Sequence, residues 1–243
     1  VTGQADRKSR RQINRLHREN PRAKMVVTGC HASLNNEAVK NYLGVDLVID
    51  NAGKDALVDK TLRFFEFAEP AKHSPVENAL FLRGRHRAFI KVQDGCRYRC
   101  TFCIVTIARG AERSRSVVEI IDEINTLHRQ GVQEIAITGV HVGGYGCDIG
   151  SSLYGLLNEI LERTEVPRIR LASVEPWDLP DEFFSLFQNN RLMPHMHLPI
   201  QSGSDTVLRR MARRCKTAEF TRIVEQVRAA VQGFNVTTDL IVG

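Results

Sequence analysis

The spacing of apolar residues divides the sequence into two regions of α/β character. In the first region, helical periodicity alternates with short apolar runs that are rich in β-branched residues. Such alternation is typical of a parallel sheet covered by helices, so we expect a small α/β domain in residues 1–68. The pattern predicts helices over residues 5–20, 35–42 and 54–67 and strands over residues 23–27 and 45–50.

From residue 87 to residue 243 the alternation continues with longer units. Five strand and helix repeats predict a βα barrel or a large part of one. The strands are predicted at residues 88–92, 134–138, 168–173, 195–199 and 235–242, and the helices at residues 116–130, 152–163, 181–189, 205–211 and 217–232. Between the two regions, residues 69–86 contain Pro70 and Pro75 among small and polar residues, which is typical of a linker.

Three cysteines, Cys96, Cys100 and Cys103, lie on the loop that follows the first predicted barrel strand. The carboxyl ends of the strands form the face on which barrel active sites are built. Four thiolates saturate an iron–sulfur cluster, whereas three on one loop leave the fourth iron open to a ligand that is not protein. The spacing therefore indicates a metal site with one open position.

Two other uses of these cysteines compete with a cluster. A disulfide needs an oxidising compartment, whereas the polar amino terminus and the six cysteines in 243 residues indicate a reducing, cytoplasmic one. A structural zinc site needs four ligands, and His141 could supply the fourth. The chain would then be a zinc-stabilised, non-catalytic RNA-binding module. No apolar run approaches the roughly 18 residues of a membrane span, so no membrane partner is expected.

The basic residues outnumber the acidic ones by 34 to 28, and many of them fall in three clusters. Such clusters suit a phosphate backbone, which proteins bind mainly through Lys and Arg charge. An ordinary solvated helix face explains the first cluster equally well. The clusters are Arg11, Arg15, Arg18 and Arg22; Arg83, Arg85, His86 and Arg87; and Arg209, Arg210, Arg213, Arg214 and Lys216.

The cysteine motif, with Phe102 just before the last cysteine, resembles that of radical S-adenosylmethionine (SAM) enzymes. Three further segments are similar to the methylthiotransferase branch of that superfamily. They are IARG followed by RSR within residues 107–115, ITGVHVGGYG at residues 137–146 and HLPIQSGS at residues 197–204. The resemblance covers essentially the whole chain, and within the branch the sequence looks most like the MtaB-type enzymes.

The resemblance implies an incomplete flavodoxin-like domain followed by a partial radical SAM barrel. It also implies a [4Fe-4S] cluster held by Cys96, Cys100 and Cys103, with SAM on the open iron through its amino and carboxylate groups. One-electron reduction then cleaves SAM to a deoxyadenosyl radical, so the difficult chemistry belongs to the cofactor.

Five residues at strand ends are expected to bind SAM: Gly143, Gly144, Glu175, Gln201 and Asp239. Each also has a plainer explanation. The glycine pair fits an ordinary turn, and Glu175 fits a solvated loop carboxylate. Gln201 could organise the turn into the next helix. Asp239, within an apolar strand, could face Arg or Lys inside the barrel because an ionised group there needs a partner.

For function, the resemblance implies addition of a methylthio group to C2 of threonylcarbamoyladenosine beside the tRNA anticodon. Another modified adenosine or a ribosomal protein side chain is the alternative substrate. The implied partners are the tRNA anticodon stem-loop and an electron donor such as flavodoxin or ferredoxin.

Family members hold a second, auxiliary [4Fe-4S] cluster with three cysteines of the amino-terminal domain, and Cys30 matches one of them. Both ends of the sequence resemble internal positions of the family. We therefore expect an internal fragment that lacks the other two ligands and cannot insert sulfur. Cys147 and Cys215 match no ligand position and are expected to be incidental thiols.

Overall fold

The computed structural model describes residues 3–67 and 87–242. The chain forms two compact units, one comprising Val1–Ser74 with Ile104–Gly110 and the other comprising Pro75–Cys103 with Ala111–Gly243. The first unit thus takes in a short segment from the region predicted as barrel. The predicted linker at residues 69–86, with Arg83, Arg85 and His86, lies outside the described residues.

The first unit is built on a pair of parallel strands in which Val26 is aligned with Leu47. Its first helix stops just before Pro21, whose ring cannot continue the hydrogen-bond ladder. Ala32 and Val39 are fully buried between the helices and the strands. The elements are α1 (Gly3–Glu19), β1 (Val26–Thr28), α2 (Cys30–Leu34), α3 (Asn36–Lys40), β2 (Leu47–Ile49), α4 (Leu57–Phe64) and α5 (Val105–Arg109).

The second unit alternates parallel strands with helices. Its strands are β3 (Ala88–Lys91), β4 (Gln93–Asp94), β5 (Arg113–Ser114), β6 (Glu134–Thr138), β7 (Arg168–Leu171), β8 (His195–His197) and β9 (Asn235–Thr237). Its helices are α6 (Val117–Arg129), α7 (Leu153–Arg163), α8 (Asp205–Arg210) and α9 (Thr217–Ala230), with 3-10 segments at Val142–Gly144, Pro176–Asp178 and Asp181–Gln188. Within the described residues, no helix is long and apolar enough to cross a bilayer.

The parallel strands follow one another in chain order across the second unit. β3, β6 and β7 form one sheet, β8 pairs with β9, and a bridge between Ser173 and His197 joins the two groups. β4 and β5 form a separate antiparallel pair. Sequential parallel strands with helices between them form the βα architecture that the sequence predicted. All the carboxyl ends of the five parallel strands therefore open on one side.

The core of the second unit lies between these strands and the helices. Ile90, Ile135 and Ile169 are fully buried on successive strands, and Ile124 packs against them from α6. α6 begins at Ser116, whose side chain accepts a hydrogen bond from the Glu119 backbone N–H while the Glu119 carboxylate accepts one from the Ser116 N–H. This reciprocal cap satisfies two backbone donors at the helix start.

The sequence-based predictions of individual elements were accurate where the periodicity was strong. β6 has the predicted bounds, α6 is one residue shorter than predicted at each end, and α7 begins one residue later than predicted. The segment predicted as a helix at residues 181–189 forms a 3-10 helix. The last strand ends at Thr237 rather than residue 242, because its partner β8 spans only three residues. The short elements α2, α5, β4 and β5 were not predicted.

Candidate metal centre

The cysteine loop leaves β4 through a turn that requires glycine. Gly95 has φ of 75°, which side-chain-bearing residues adopt only with strain. The Gln93 amide holds this turn by donating to the Asp94 and Gly95 carbonyls, at 2.9 and 2.7 Å. Cys96 and Cys100 are partly buried and Cys103 is exposed, all three as free thiols. The loop thus presents its sulfur atoms at the open ends of the strands.

A second segment, between α8 and α9, secures the far side of the loop. The Thr101 backbone N–H donates to the Met211 carbonyl at 3.1 Å, and the Thr101 hydroxyl donates to the Arg210 carbonyl at 3.2 Å. Arg213 Nη1 lies 3.9 Å from the Cys100 sulfur. The loop position therefore depends on a segment more than a hundred residues away in sequence.

A buried histidine lies at the end of β6, between two carboxylates. His141 is 1% exposed; its Nδ1 donates to Glu112 Oε1 at 2.5 Å and its Nε2 donates to Asp178 Oδ2 at 2.7 Å. Burial by itself lowers the pKa of His141. The Asp178 hydrogen bond, the Glu175 charge and the Glu112 hydrogen bond together outweigh burial and raise that pKa above its ordinary value. The surroundings of His141 therefore favour the imidazolium form.

Tyr98 and Arg97 connect the cysteine loop with this charged cluster. The Tyr98 hydroxyl donates to Asp178 Oδ1 at 2.9 Å, and its ring packs edge-on against His141 with centroids 4.8 Å apart. Arg97 Nη1 lies 3.4 Å from Glu112 Oε2. The residues between the first two cysteines thus rest on the Glu112, His141 and Asp178 side chains. We call these three side chains the histidine–carboxylate cluster.

The two glycines predicted to contact SAM pack against the same cluster. A Cβ on Gly143 would lie 2.8 Å from the Asp178 Cβ, and a Cβ on Gly144 would lie 2.8 Å from Glu112 Oε1. Glycine is therefore needed at both positions for packing, whether or not a ligand approaches. Contact of Gly143 and Gly144 with SAM stays a prediction.

One carboxylate oxygen of Glu175 is a buried acceptor that receives no hydrogen bond from the described residues. Its Oε2 atom is buried, makes no hydrogen bond within the described part of the chain, and lies 3.6 Å from His141 Nε2. Burial raises the pKa of this carboxyl above its usual range, while the charge of His141 opposes the rise. An unsatisfied buried acceptor is uncommon in a folded protein and suits a cationic or N–H-bearing ligand.

The carboxylates of Glu175 and Glu112 also affect the pKa of Cys96. Burial, with smaller contributions from the charges of Glu175 and Glu112, raises the pKa of the Cys96 thiol to about 11. Without metal this thiol is protonated at neutral pH. Because the thiolate is the metal ligand, binding of iron must release that proton and bring a positive charge beside the carboxylates.

Gln201 and Asp239 meet at other strand ends. The Gln201 N–H donates to the Asp239 carbonyl at 3.0 Å, and Gln201 has φ of 78°. The alternative explanation of Asp239, that it faces Arg or Lys inside the barrel, is wrong, and its contact with SAM stays a prediction. Its side chain is 68% exposed and accepts a hydrogen bond from His197 Nε2 at 3.2 Å, because β9 ends before it.

The remaining cysteines occupy three different environments. Cys30 is the first residue of α2 rather than the end of a strand, and Asn51 Nδ2 lies 3.7 Å from its sulfur. Cys147 is exposed, and its side chain hydrogen-bonds to Arg97, which raises the pKa of that guanidinium. Cys215 is buried, and burial raises the pKa of its thiol to about 11.

The structure argues against His141 as a zinc ligand. Both ring nitrogens lie within hydrogen-bond distance of carboxylates, so a metal would have to displace one of these contacts. His141, Glu175 and Asp178 do place one ligand atom each within 4.8 Å of one another. Occupation by a cation through Nε2 would, however, require the hydrogen bond to Asp178 to break, whereas the Nδ1 hydrogen bond to Glu112 could remain.

Sequence comparison identifies the family. The Radical SAM superfamily profile matches residues 90–243, so the chain belongs to this superfamily. It is 38% identical over its whole length to the threonylcarbamoyladenosine tRNA methylthiotransferase MtaB of Thermotoga maritima, covering 57% of that protein. It is 32% identical to a tRNA-2-methylthio-N(6)-dimethylallyladenosine synthase of Staphylococcus saprophyticus, over 95% of this chain and 48% of that one. The chain therefore spans about half the length of the curated relatives it matches.

Solved structures support the fold. The radical SAM methyltransferase TsrM of Kitasatospora setae superposes with a TM-score of 0.74 over 98% of this chain and 53% of TsrM, at 18% identity. The cobalamin-dependent radical SAM enzyme OxsB gives a TM-score of 0.63 over 89% of this chain and 36% of OxsB, at 16% identity. The predicted partial radical SAM fold is thus confirmed.

The cofactor of the superfamily is a [4Fe-4S] cluster that binds SAM, and the residues present fit it. Cys96, Cys100 and Cys103 offer three sulfur ligands on one loop. The unsatisfied Glu175 oxygen lies beside them as an acceptor for a ligand with N–H groups. The Arg213 guanidinium lies 3.9 Å from the Cys100 sulfur.

Proposed function

We propose that this chain is the radical-generating part of a tRNA methylthiotransferase that modifies C2 of threonylcarbamoyladenosine. The observation that carries the proposal is the three-cysteine loop, held at the strand ends beside an unsatisfied acceptor. Support for the substrate comes from the whole-length similarity to MtaB enzymes at up to 38% identity. A cytoplasmic location follows as a prediction from the substrate and the free thiols.

In this proposal each side chain has a defined task. Cys96, Cys100 and Cys103 hold the cluster; together with SAM, the bound cluster supplies a deoxyadenosyl radical. Glu175 accepts a hydrogen bond from the cationic amino group of SAM, so that its buried Oε2 atom gains a hydrogen-bond partner. Gly143 and Gly144 leave room for SAM beside the histidine–carboxylate cluster. Gln201 and Asp239 flank the SAM site.

The third basic cluster is the best surface for tRNA in the second unit. Arg209, Arg214 and Lys216 line an open cavity of about 410 Å³. Arg213 belongs to the same segment, but its guanidinium is hydrogen-bonded to the Cys100 sulfur. The first cluster is weaker than predicted, because α1 ends before Arg22 and Arg15 donates to Glu19 at 2.9 Å. We therefore propose that the α8–α9 segment contacts the phosphate backbone.

Anaerobic reconstitution tests the cluster assignment. The purified chain should take up about four irons, show thiolate-to-iron absorption and cleave SAM when reduced. Cys100→Ala should lose iron and SAM cleavage, whereas the control Cys147→Ala should keep both. A colourless zinc protein, or full iron content in Cys100→Ala, would overturn the assignment.

The substrate is tested separately by titrating tRNA. An unmodified anticodon stem-loop and one carrying threonylcarbamoyladenosine should bind with affinities that fall steeply with salt. Arg209→Gln should weaken binding of both without changing SAM cleavage. If tRNA does not bind while SAM cleavage is intact, a protein side chain becomes the better substrate.

We also propose Cys30 as a ligand of the auxiliary cluster. Cys30 is the sole cysteine in residues 1–74, whereas the family uses three for that cluster. These 243 residues alone should therefore generate the radical without inserting sulfur. Mass spectrometry that finds methylthio-adenosine made by this chain alone would contradict the proposal.

A further inference from the structure

Arg213 has a more constrained position than the other basic residues of its cluster. Its Nη1 donates to the Cys100 sulfur at 3.9 Å, and its Nη2 donates to the Pro199 carbonyl. Its guanidinium carbon lies 4.3 Å from the centre of the Trp177 ring. A planar guanidinium can make two directed hydrogen bonds and stack at the same time, which an ammonium group cannot.

Two of the three sulfur atoms face different charges. Cys96 lies near the carboxylates of Glu175 and Glu112. Cys100 instead receives a hydrogen bond from a fixed cation. Hydrogen bonds and charge at the sulfur atoms are among the main controls on the potential of an iron–sulfur cluster.

We propose that Arg213 is a positioning residue that raises the reduction potential of the cluster bound through Cys100. The inference rests on Cys100 as a cluster ligand. Reduction adds one electron, taken from a low-potential reductant, and transfers no proton. The reduced cluster carries one more negative charge, so a cationic N–H donor on a coordinating sulfur stabilises it more than the oxidised cluster.

The same contacts argue against a merely structural role. The Pro199 and Trp177 contacts would suffice to pack the side chain. In addition, Arg213 Nε is buried and has no hydrogen-bond partner among the described residues. A half-buried arginine with an unsatisfied donor, where a thiol is one of its few partners, indicates that the charge itself is used.

The test is a redox titration of anaerobically reconstituted protein with dithionite, followed by electron paramagnetic resonance of the reduced cluster. We expect Arg213→Met to favour the oxidised cluster about tenfold, a shift of about 59 mV to lower potential. Arg213→Lys should fall between Met and wild type. The control Arg222→Met removes an equal charge from an exposed surface pair with Asp181 and should leave the potential unchanged.

The iron content of the variants distinguishes control of the cluster potential from a role in holding the cysteine loop in place. Arg213→Met with full iron and an unshifted potential would overturn the proposal, as would an equal shift in Arg222→Met. If Arg213→Met fails to load iron, Arg213→Gln is measured in its place, because glutamine keeps an N–H donor but removes the charge. A wild-type potential in both the Gln and Lys variants would then refute the proposal, and graded negative shifts would support it. Failure of the wild-type protein to cleave SAM, while its cluster is reduced normally, would count against the proposed function and not against this inference.

Discussion

Replacing His141 with alanine should strongly destabilise the second unit. The side chains of Glu112 and Asp178 are 7% and 8% exposed, and each accepts a hydrogen bond from the imidazolium ring. A hydrogen bond to a charged group contributes about 1.5–3 kcal/mol, so the pair contributes about 3–6 kcal/mol. Removing one member of a buried ion pair costs about 3–5 kcal/mol. The two estimates agree, and we expect His141→Ala to lose about 3–5 kcal/mol.

Urea unfolding of the metal-free protein measures this loss. Trp177 is the single tryptophan and packs on Tyr98 beside the cluster, so its fluorescence reports on the second unit. With an m-value of about 2–3 kcal/mol/M, the midpoint should fall by about 1–2 M. The control His128→Ala removes one hydrogen bond, to the Val132 carbonyl, and should lose about 1 kcal/mol.

The stability difference between wild type and His141→Ala should change with pH in a defined direction. The pKa of His141 is raised in the folded protein, so its contribution is fully present below the unfolded value of about 6.5. That contribution is lost as the pH rises through the folded pKa. The stability difference between wild type and His141→Ala should therefore shrink at alkaline pH. A difference that is below about 1 kcal/mol, or that grows between about pH 6 and pH 9, would refute the imidazolium assignment.

Three further predictions concern neighbouring contacts. Gly144→Ala should destabilise the second unit in the same fluorescence assay, because its Cβ would overlap the His141 ring. If the variant is as stable as the wild type, the loop can move to make room for the added Cβ. Glu175→Gln should weaken SAM binding about tenfold by equilibrium dialysis, with iron content unchanged, since a charged hydrogen bond is lost; equal affinity would remove Glu175 from the SAM site. Asn51→Leu should destabilise the first unit by about 1–3 kcal/mol in thermal unfolding, because it removes a buried 2.6 Å hydrogen bond to the Ala108 carbonyl; an unchanged midpoint would contradict this.

The periodic parts of the fold could be predicted because they depend on local pattern. A short apolar run placed β6 correctly, and helical periodicity placed α6 to within one residue at each end. The 3-10 segments and the β4–β5 pair lack such a pattern. β4 contains only Gln93 and Asp94, whose pairing with residues 113–114 depends on the return of the chain after α5.

Asp239 shows how a local interpretation fails at a strand end. Its apolar neighbours indicated an interior strand, in which a carboxylate would need a cationic partner. β9 instead ends at Thr237, so Asp239 is largely exposed and bonds to a histidine of the adjacent strand. The extent of hydrogen bonding by β8, rather than the residues near Asp239, determined this outcome.

The sequence by itself determined the cysteine loop, since the spacing of Cys96, Cys100 and Cys103 brings three thiols onto one turn whatever surrounds it. Only the tertiary structure decided which charges surround them. Glu112 and Asp178 appear in the sequence as ordinary loop carboxylates, and Arg213 as one member of a basic cluster. They meet at the metal centre because the parallel strands open on one side, and the energy of a charge depends on distance and burial, which sequence spacing does not specify.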